Sequence, residues 1–265
     1  MKKISFGFIL LSTVALLSAS TTALILPTGS GTYSSWTPST GVTHYTLVDE
    51  SSCNGATDYV STNTLNNRDS YSISLSSIPD GSKITGVSVT PCASRDTNKS
   101  STMAAFYRLN GVDSANGSAY TLSGTIPADL TATSYSGLSV TKTSTTTLES
   151  GVILLSGTGG ARVSRVATVV TYITNPGAPV GVTNTVSTTT PKKVNMSWSN
   201  QADTTGINIE RSIDNVNFSL LFSTSTAITS YGDATVTTGT YYYRLQAFNV
   251  VGSSPYSSTT VAVVP

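Results

Sequence analysis

The sequence predicts an all-β protein of two successive β-sandwiches behind a short export segment, and three observations carry that prediction. Apolar and polar residues alternate with a period of two in segment after segment, as strands with one buried face require. Ser and Thr make up about a third of the 265 residues, whereas charged residues are only 10%, against the usual quarter. Thr favours strands, and both hydroxyl residues can cover the solvent face of a sheet without charge. The alternation is broken by Asn175-Pro-Gly-Ala-Pro179, where two prolines and a glycine deny ladder donors and favour a turn. This linker, residues 175–179, divides a first domain at 27–174 from a second at 178–265, and each length is enough to enclose its own core.

Export comes first along the chain. Lys2 and Lys3 form a short positive region, Ile4 to Leu17 is mostly apolar, and Ser18 to Ala23 is small and weakly polar. That is the layout of a secretory signal peptide over residues 1–23, with Thr21 and Ala23 in the −3 and −1 places for scission after Ala23. Ser12, Thr13 and Ser18 interrupt the apolar run, so it falls short of the 20 or so residues of a membrane span. The expectation is a secreted or cell-surface protein with no membrane span after scission. Without the two lysines the net charge is −1, with no basic patch to neutralise phosphates, which excludes nucleic acid as a partner.

In the first domain, strand-like runs occur at His44–Val48, Ser70–Leu75, Ile84–Val89, Ala104–Leu109, Gly151–Ser156 and Arg162–Ile173. Pro79-Asp-Gly81, Asn110-Gly111 and Asn116-Gly117 supply turn signals between them. Ile126–Ala132 has room for one helical turn. Eight or so strands over this length suggest a jelly-roll sandwich. The segment Trp36…His44-Tyr-Thr-Leu-Val-Asp-Glu50…Thr57-Asp-Tyr-Val60…Arg68-Asp-Ser-Tyr71 is similar to the opening of jelly-roll domains in exported bacterial and phage-encoded surface proteins, a resemblance that covers about half the chain and implies no defined activity.

In the second domain, Val194, Met196 and Trp198 alternate with polar neighbours, as do Ile207 and Ile209, and Tyr241, Tyr243, Leu245 and Ala247. This domain resembles a fibronectin type III module. Trp198 matches that family's core Trp on the second strand, Tyr241 matches its corner Tyr, and the spacing of Ala247, Asn249, Gly252, Ser254 and Ser257 matches its last two strands. The resemblance implies an immunoglobulin-like sandwich with Trp198, Tyr241, Tyr243 and Leu245 in its core. It also implies a spacer, adhesion unit or binding platform more readily than an enzyme.

The chemistry that is absent narrows the function. His44 is the only histidine, so a Ser-His-Asp triad, a Cys-His pair and a structural zinc set would all have to use it. No Gly-x-Ser-x-Gly elbow occurs, and Gly157-Thr-Gly-Gly160 lacks the following Lys-Ser/Thr of a phosphate loop, so it reads as a hairpin turn. The two cysteines, Cys53 and Cys92, lie in one domain and in an oxidising compartment should form a disulfide.

Two groups of residues remain as candidate sites. Asp49, Glu50, Asp58 and Asp69 cluster in sequence; they read as solvated or turn-capping carboxylates, as oxygen ligands for a calcium ion, or as a glycosidase acid pair. Many jelly-roll carbohydrate-binding modules hold a structural calcium of this kind, but none of their ligand motifs is matched here. Trp36, Tyr45, Tyr59 and Tyr71 are candidate rings for stacking on sugars, set against the commoner use of strand aromatics as core and cross-strand packing. The expected function is a non-catalytic binding or adhesion protein that takes polysaccharide or another surface protein through the first domain, with the second as spacer. A structural subunit of an extracellular assembly, self-associating through strand edges, and a small glycan-active hydrolase are the alternatives.

Overall fold

The computed structural model describes residues 19–53 and 57–265, so residues 1–18 of the expected export segment and residues 54–56 lie outside the described residues. The chain divides into two compact units, Ala19–Ile173 and Thr174–Pro265, each considered by itself. Both are built from strands.

The N-terminal unit contains β1 (Ser20–Thr21), β2 (Pro27–Ser34), β3 (Thr37–Pro38), β4 (Val60–Thr62), β5 (Arg68–Ile73), β6 (Lys83–Ser94), β7 (Ser101–Leu109), β8 (Val112–Asp113), β9 (Tyr120–Leu122), β10 (Ala128–Asp129), β11 (Thr133–Thr141), β12 (Leu148–Gly157) and β13 (Ala161–Ile173). One sheet runs β11–β6–β13–β4–β3, with β10 also on β6 and β1 on β13. The other runs β2–β5–β12–β7–β8, with β9 also on β7. Consecutive strands from β4 to β7, and again from β11 to β13, switch between the two sheets, which is the strand order of a jelly roll. The core between the sheets is filled by alternate residues of each strand: Tyr71 and Ile73 from β5, Met103, Ala105 and Tyr107 from β7, Leu148, Val152 and Leu154 from β12, and Val163, Val166 and Val170 from β13.

Turn chemistry sets the register. Asn110 and Gly111 have φ of 50° and 78° and join Leu109 to its cross-strand partner Val112, the two-residue hairpin that an Asn-Gly pair favours. Gly157 and Gly160, with φ of 95° and 63°, turn the chain from β12 into β13, as a hairpin reading of the glycine run requires. Two local expectations are corrected. The His44–Val48 run is not a strand but a 3-10 turn over Tyr45–Leu47, because Leu47 and Val48 are both buried, and adjacent residues of a strand point to opposite faces. Ile126–Ala132 forms no helical turn; Ala128 and Asp129 instead pair with Ala93 and Cys92 of β6.

The C-terminal unit contains β14 (Val180–Val186), β15 (Val194–Ser199), β16 (Gly206–Ser212), β17 (Ser219–Thr224), β18 (Ser230–Asp233), β19 (Gly239–Phe248), β20 (Ser253–Tyr256) and β21 (Thr260–Val264). A β14–β15–β18 sheet faces a β17–β16–β19 sheet that is closed at its far edge by β20 and then β21. This is the immunoglobulin-like sandwich with its last strand split. Trp198, Tyr241, Tyr243 and Leu245 all lie in its core. The Tyr241 hydroxyl accepts the backbone N–H of Thr237 at 3.1 Å, tying the corner to the strand. Where the β20 register on β19 slips and the last strand splits, Ser257 Oγ and Ser254 Oγ accept the N–H groups of Leu245 and Ala247 at 3.0 Å each. That accounts physically for the serine spacing in the sequence.

Candidate functional site

The four candidate aromatics do not form a binding platform. Tyr71 is fully buried and Trp36 is 3% exposed, its indole N–H spent on the Asn67 carbonyl at 3.0 Å; both belong to the core, and neither offers a ring face to a ligand. Tyr45 packs half-buried against the same core. Tyr59 is half-buried with the Arg162 guanidinium 4.6 Å from its ring centroid, so one face is already covered.

Asp69 is separated from the rest of the acidic run. Asp69 faces inward with the odd-numbered positions of β5 and is fully buried. It accepts hydrogen bonds from Tyr71 OH at 2.9 Å and faces His44 Nδ1 at 2.8 Å. Burial raises its pKa above the ordinary carboxylate value, and His44 opposes that shift. Glu50 is held near Asp58 and Asp49, and its pKa is pushed up to about 7, first by burial and then by the charges of Asp58 and Asp49. Among the described residues, no three of the four carboxylates converge as ligands of one ion; the sole convergent set is Cys53, Cys92 and Asp129. Its two sulfurs are joined in a disulfide, Cα to Cα 5.6 Å, so that set cannot hold a metal.

A more developed constellation lies on the outer face of the β2–β5–β12–β7 sheet. β2 is the edge strand, and its register on β5 slips between Ser30 and Ser34. Gly31 lets it pass close above β5, since a Cβ there would come within 2.6 Å of the Ser70 backbone. The slip carries Tyr33 over the sheet, edge-on to Phe106 with ring centroids 5.9 Å apart. Phe106, Ala104 and Ile153 are thereby buried on what would be the solvent face. Arg68 lies over the Phe106 ring at 4.8 Å.

Around this aromatic floor the polar groups are mutually fixed. Asp113 Oδ2 accepts Tyr33 OH and Arg68, each at 2.7 Å, and its Oδ1 accepts Arg108 at 2.6 Å. Burial would raise the Asp113 pKa, but the Tyr33 hydroxyl and Arg108 outweigh it and hold the carboxyl below its ordinary value. Glu149 accepts the Thr32 N–H at 2.8 Å and the hydroxyls of Thr32 and Ser70 at 2.7 Å each, and the Arg108 Nε stands 3.9 Å from it. Beside them opens a polar groove of about 300 Å³, whose walls include Thr32, Ser72, Arg108, Thr146, Thr147 and Glu149. Across the β7–β8 hairpin lies a second hollow of about 340 Å³, mainly apolar, walled by Leu109, Val112, Leu138 and Val140.

Apart from Tyr33, one of several tyrosines available as ligand contacts, none of these outer-face residues stands out in the sequence. The signal that could have found them is parity. Arg68 and Ser72 on β5, Phe106 and Arg108 on β7, and Glu149 and Ile153 on β12 occupy the outward positions of adjacent strands, which places charges of a charge-poor chain within strands rather than in turns.

Comparisons with known proteins return no matching family model and no matching curated protein. Solved structures similar to about a third of the chain are fibronectin type III domains. One is the structure called FN3tt, at 21% identity over 34% of this chain and 96% of that one, TM-score 0.31. Another is an Fn3-like protein from Clostridium thermocellum, at 21% identity over 34% and 94%, TM-score 0.31. A third is the sixth type III domain of human fibronectin type III domain containing protein 3, at 22% identity over 34% and 83%, TM-score 0.27. The jelly-roll reading of the N-terminal unit rests on its own strand order.

Proposed function

We propose that this chain is a non-catalytic binding protein of the cell exterior, taking glycan or another surface protein in the groove beside the β7–β8 hairpin, with the C-terminal unit as spacer. The observation that carries the reading is the Tyr33–Arg68–Asp113–Arg108–Glu149 network. Its side chains hold one another in place before any ligand arrives, which lowers the ordering cost of binding. Hydroxyls and a fixed guanidinium along an open groove suit the hydrogen-bonding edge of a sugar or a polar peptide. The Cys53–Cys92 disulfide suits an oxidising compartment, and among the described residues no helix is long and apolar enough to cross a membrane.

The hydrolase alternative is less well supported. A glycosidase acid needs a raised pKa, whereas Asp113 is shifted down by its partners. Glu50 is shifted up, first by burial, but it lines neither of the two hollows beside the β7–β8 hairpin. The test is polysaccharide-array and titration binding with the intact chain, Arg108→Ala and Glu149→Gln. Each variant should weaken binding by about tenfold, the loss of one good polar contact, while its melting transition confirms folding. Undiminished binding by both variants would sink the reading.

A further inference from the structure

Four polar side chains stand in one row across the outer face of the N-terminal unit. Ser72 of β5 lies opposite Glu149 of β12, Glu149 opposite Arg108 of β7, and Arg108 opposite Asp113 of β8. Ser72, Glu149 and Arg108 are also walls of the polar groove. Directly opposed residues of an antiparallel sheet have Cβ atoms about 4.5–5.5 Å apart. The spacing of the row is therefore set by the strands, not by a loop.

The contacts within the row are uneven. Arg108 Nη1 donates to Asp113 at 2.6 Å, a direct charge-assisted bond. On its other side, Arg108 Nε stands 3.9 Å from Glu149 Oε1. That is beyond hydrogen-bond length, and it is a distance that one oxygen atom spans with a bond to each side. Neither group is free to swing and close it. Glu149 Oε1 accepts the Thr32 hydroxyl at 2.7 Å, and its Oε2 accepts the Thr32 N–H and the Ser70 hydroxyl. Arg108 is anchored through Asp113, which Tyr33 and Arg68 hold in turn. A donor and an acceptor are thus pinned by separate neighbours, at a separation suited to a third group between them.

That third group has to accept from Nε–H and donate to Oε1 through a single atom. A hydroxyl does both, whereas a carboxylate or sulfate only accepts and an ammonium only donates. Charge points the same way. Arg108 and Glu149 are the only ionised walls of the groove, and they cancel. An anion drawn to Arg108 would also lie against Glu149. The hydroxyls of Thr32, Ser72, Thr146 and Thr147 make up the rest of the polar lining. A peptide offers a hydroxyl only at scattered side chains, but a sugar ring carries them on adjacent carbons.

We infer that the groove takes a neutral, hydroxyl-rich glycan, with one ring hydroxyl bridging Arg108 Nε and Glu149 Oε1, and that it discriminates against uronate and sulfated chains. The inference rests on the groove reading and narrows it. The test titrates the intact chain with neutral polymers (dextran, mannan, galactan) and acidic ones (polygalacturonate, dextran sulfate). A neutral polymer should bind, at an affinity that added salt leaves level. Glu149→Gln should weaken that binding about tenfold, since a charged acceptor becomes a neutral one. Arg108→Lys should also weaken it about tenfold, because one ammonium cannot hold Asp113 and offer a separately aimed Nε–H. Melting transitions report that each variant is folded.

The sign at Glu149 separates the ligand classes, because removing a negative charge would strengthen capture of an acidic chain. Binding confined to the acidic polymers, screened by salt and raised by Glu149→Gln, overturns the inference; if Arg108→Ala still weakens it, the groove reading stands. Neutral-polymer binding that Glu149→Gln and Arg108→Lys leave unchanged also overturns the inference, and the groove reading falls with it if Arg108→Ala changes nothing either. Binding to neither panel overturns it too, and leaves the groove to a polar peptide.

Discussion

Each unit buries one aspartate against one tyrosine, and the two sites differ in the third partner. In the C-terminal unit Asp233 accepts Tyr243 OH at 2.9 Å and Arg211 at 2.8 Å, with further bonds from the Thr235 N–H and hydroxyl. Its pKa falls below the ordinary value because these donors outweigh burial. In the N-terminal unit Asp69 has Tyr71 and His44, its second oxygen has no partner, and its pKa rises because burial outweighs the donors. A permanent cation with a full donor set makes a buried carboxylate a fixed strut; an imidazole with a half-filled set leaves it charged at a cost. The C-terminal unit is therefore the more settled of the two, and among the described residues the N-terminal unit carries most of the buried polar atoms without a partner.

The sharpest way to separate the units is to damage one core. Trp198→Ala should lower the stability of the C-terminal unit by about 3–5 kcal/mol, the usual cost of deleting a large buried aromatic, and leave the N-terminal transition in place. Calorimetry or chemical denaturation followed by residue-specific probes checks this; loss of both transitions together would show one cooperative unit. The reciprocal damage is the double replacement Cys53→Ser with Cys92→Ser. The bridge spans a sequence separation of 39, and opening a loop of that size should cost the N-terminal unit about 4 kcal/mol in the chain-entropy model. The C-terminal transition should not move.

The units also differ in how legible they were. Trp198, Tyr241, Tyr243 and Leu245 alternate with polar residues, so a single parity assigns their burial. In β5 the parity was ambiguous: Arg68, Asp69, Ser70 and Tyr71 mix charge and ring on both faces, and only the pairing with β12 and β2 turns Asp69 and Tyr71 inward. Proximity in sequence suggested that Asp69 joins Asp49, Glu50 and Asp58, but residues of one strand and of a loop before it need not share a face. The disulfide was readable because no third cysteine competes. The Tyr33–Asp113 network was not, since it depends on a slipped edge strand whose cause, the close approach at Gly31, is a tertiary contact.

A smaller pair of substitutions tests the aspartate comparison directly. Asp233→Asn leaves the Arg211 guanidinium without its counter-charge and should cost about 1–3 kcal/mol. Asp69→Asn keeps hydrogen-bonding capacity toward His44 and Tyr71 while removing a charge that burial already disfavours, and should cost under about 1 kcal/mol. Equal losses at both sites would break the distinction.

The smallest expected effect is the pH dependence, which should be confined to one unit near neutral pH. Glu50, raised from 4.5 to about 7, and Asp69, also raised, hold protons more tightly in the folded state. Stability from such groups is full below their unfolded pKa and is lost as pH climbs through the folded value. Asp233 and Asp113 are shifted down, so their contribution is full above the ordinary carboxylate pKa and is lost only as pH falls below it. Between pH 5 and 8 both stay ionised, and Glu50 sets the slope. Raising the pH across that window should lower the N-terminal melting transition and leave the C-terminal one level. Glu50→Gln should flatten most of the slope, because the amide cannot ionise beside Asp58 and Asp49. Parallel movement of both transitions would mean that the raised carboxylates are not what distinguishes the units. A slope unchanged by Glu50→Gln would shift the cause to Asp69, whose Asn variant then reads it out alone.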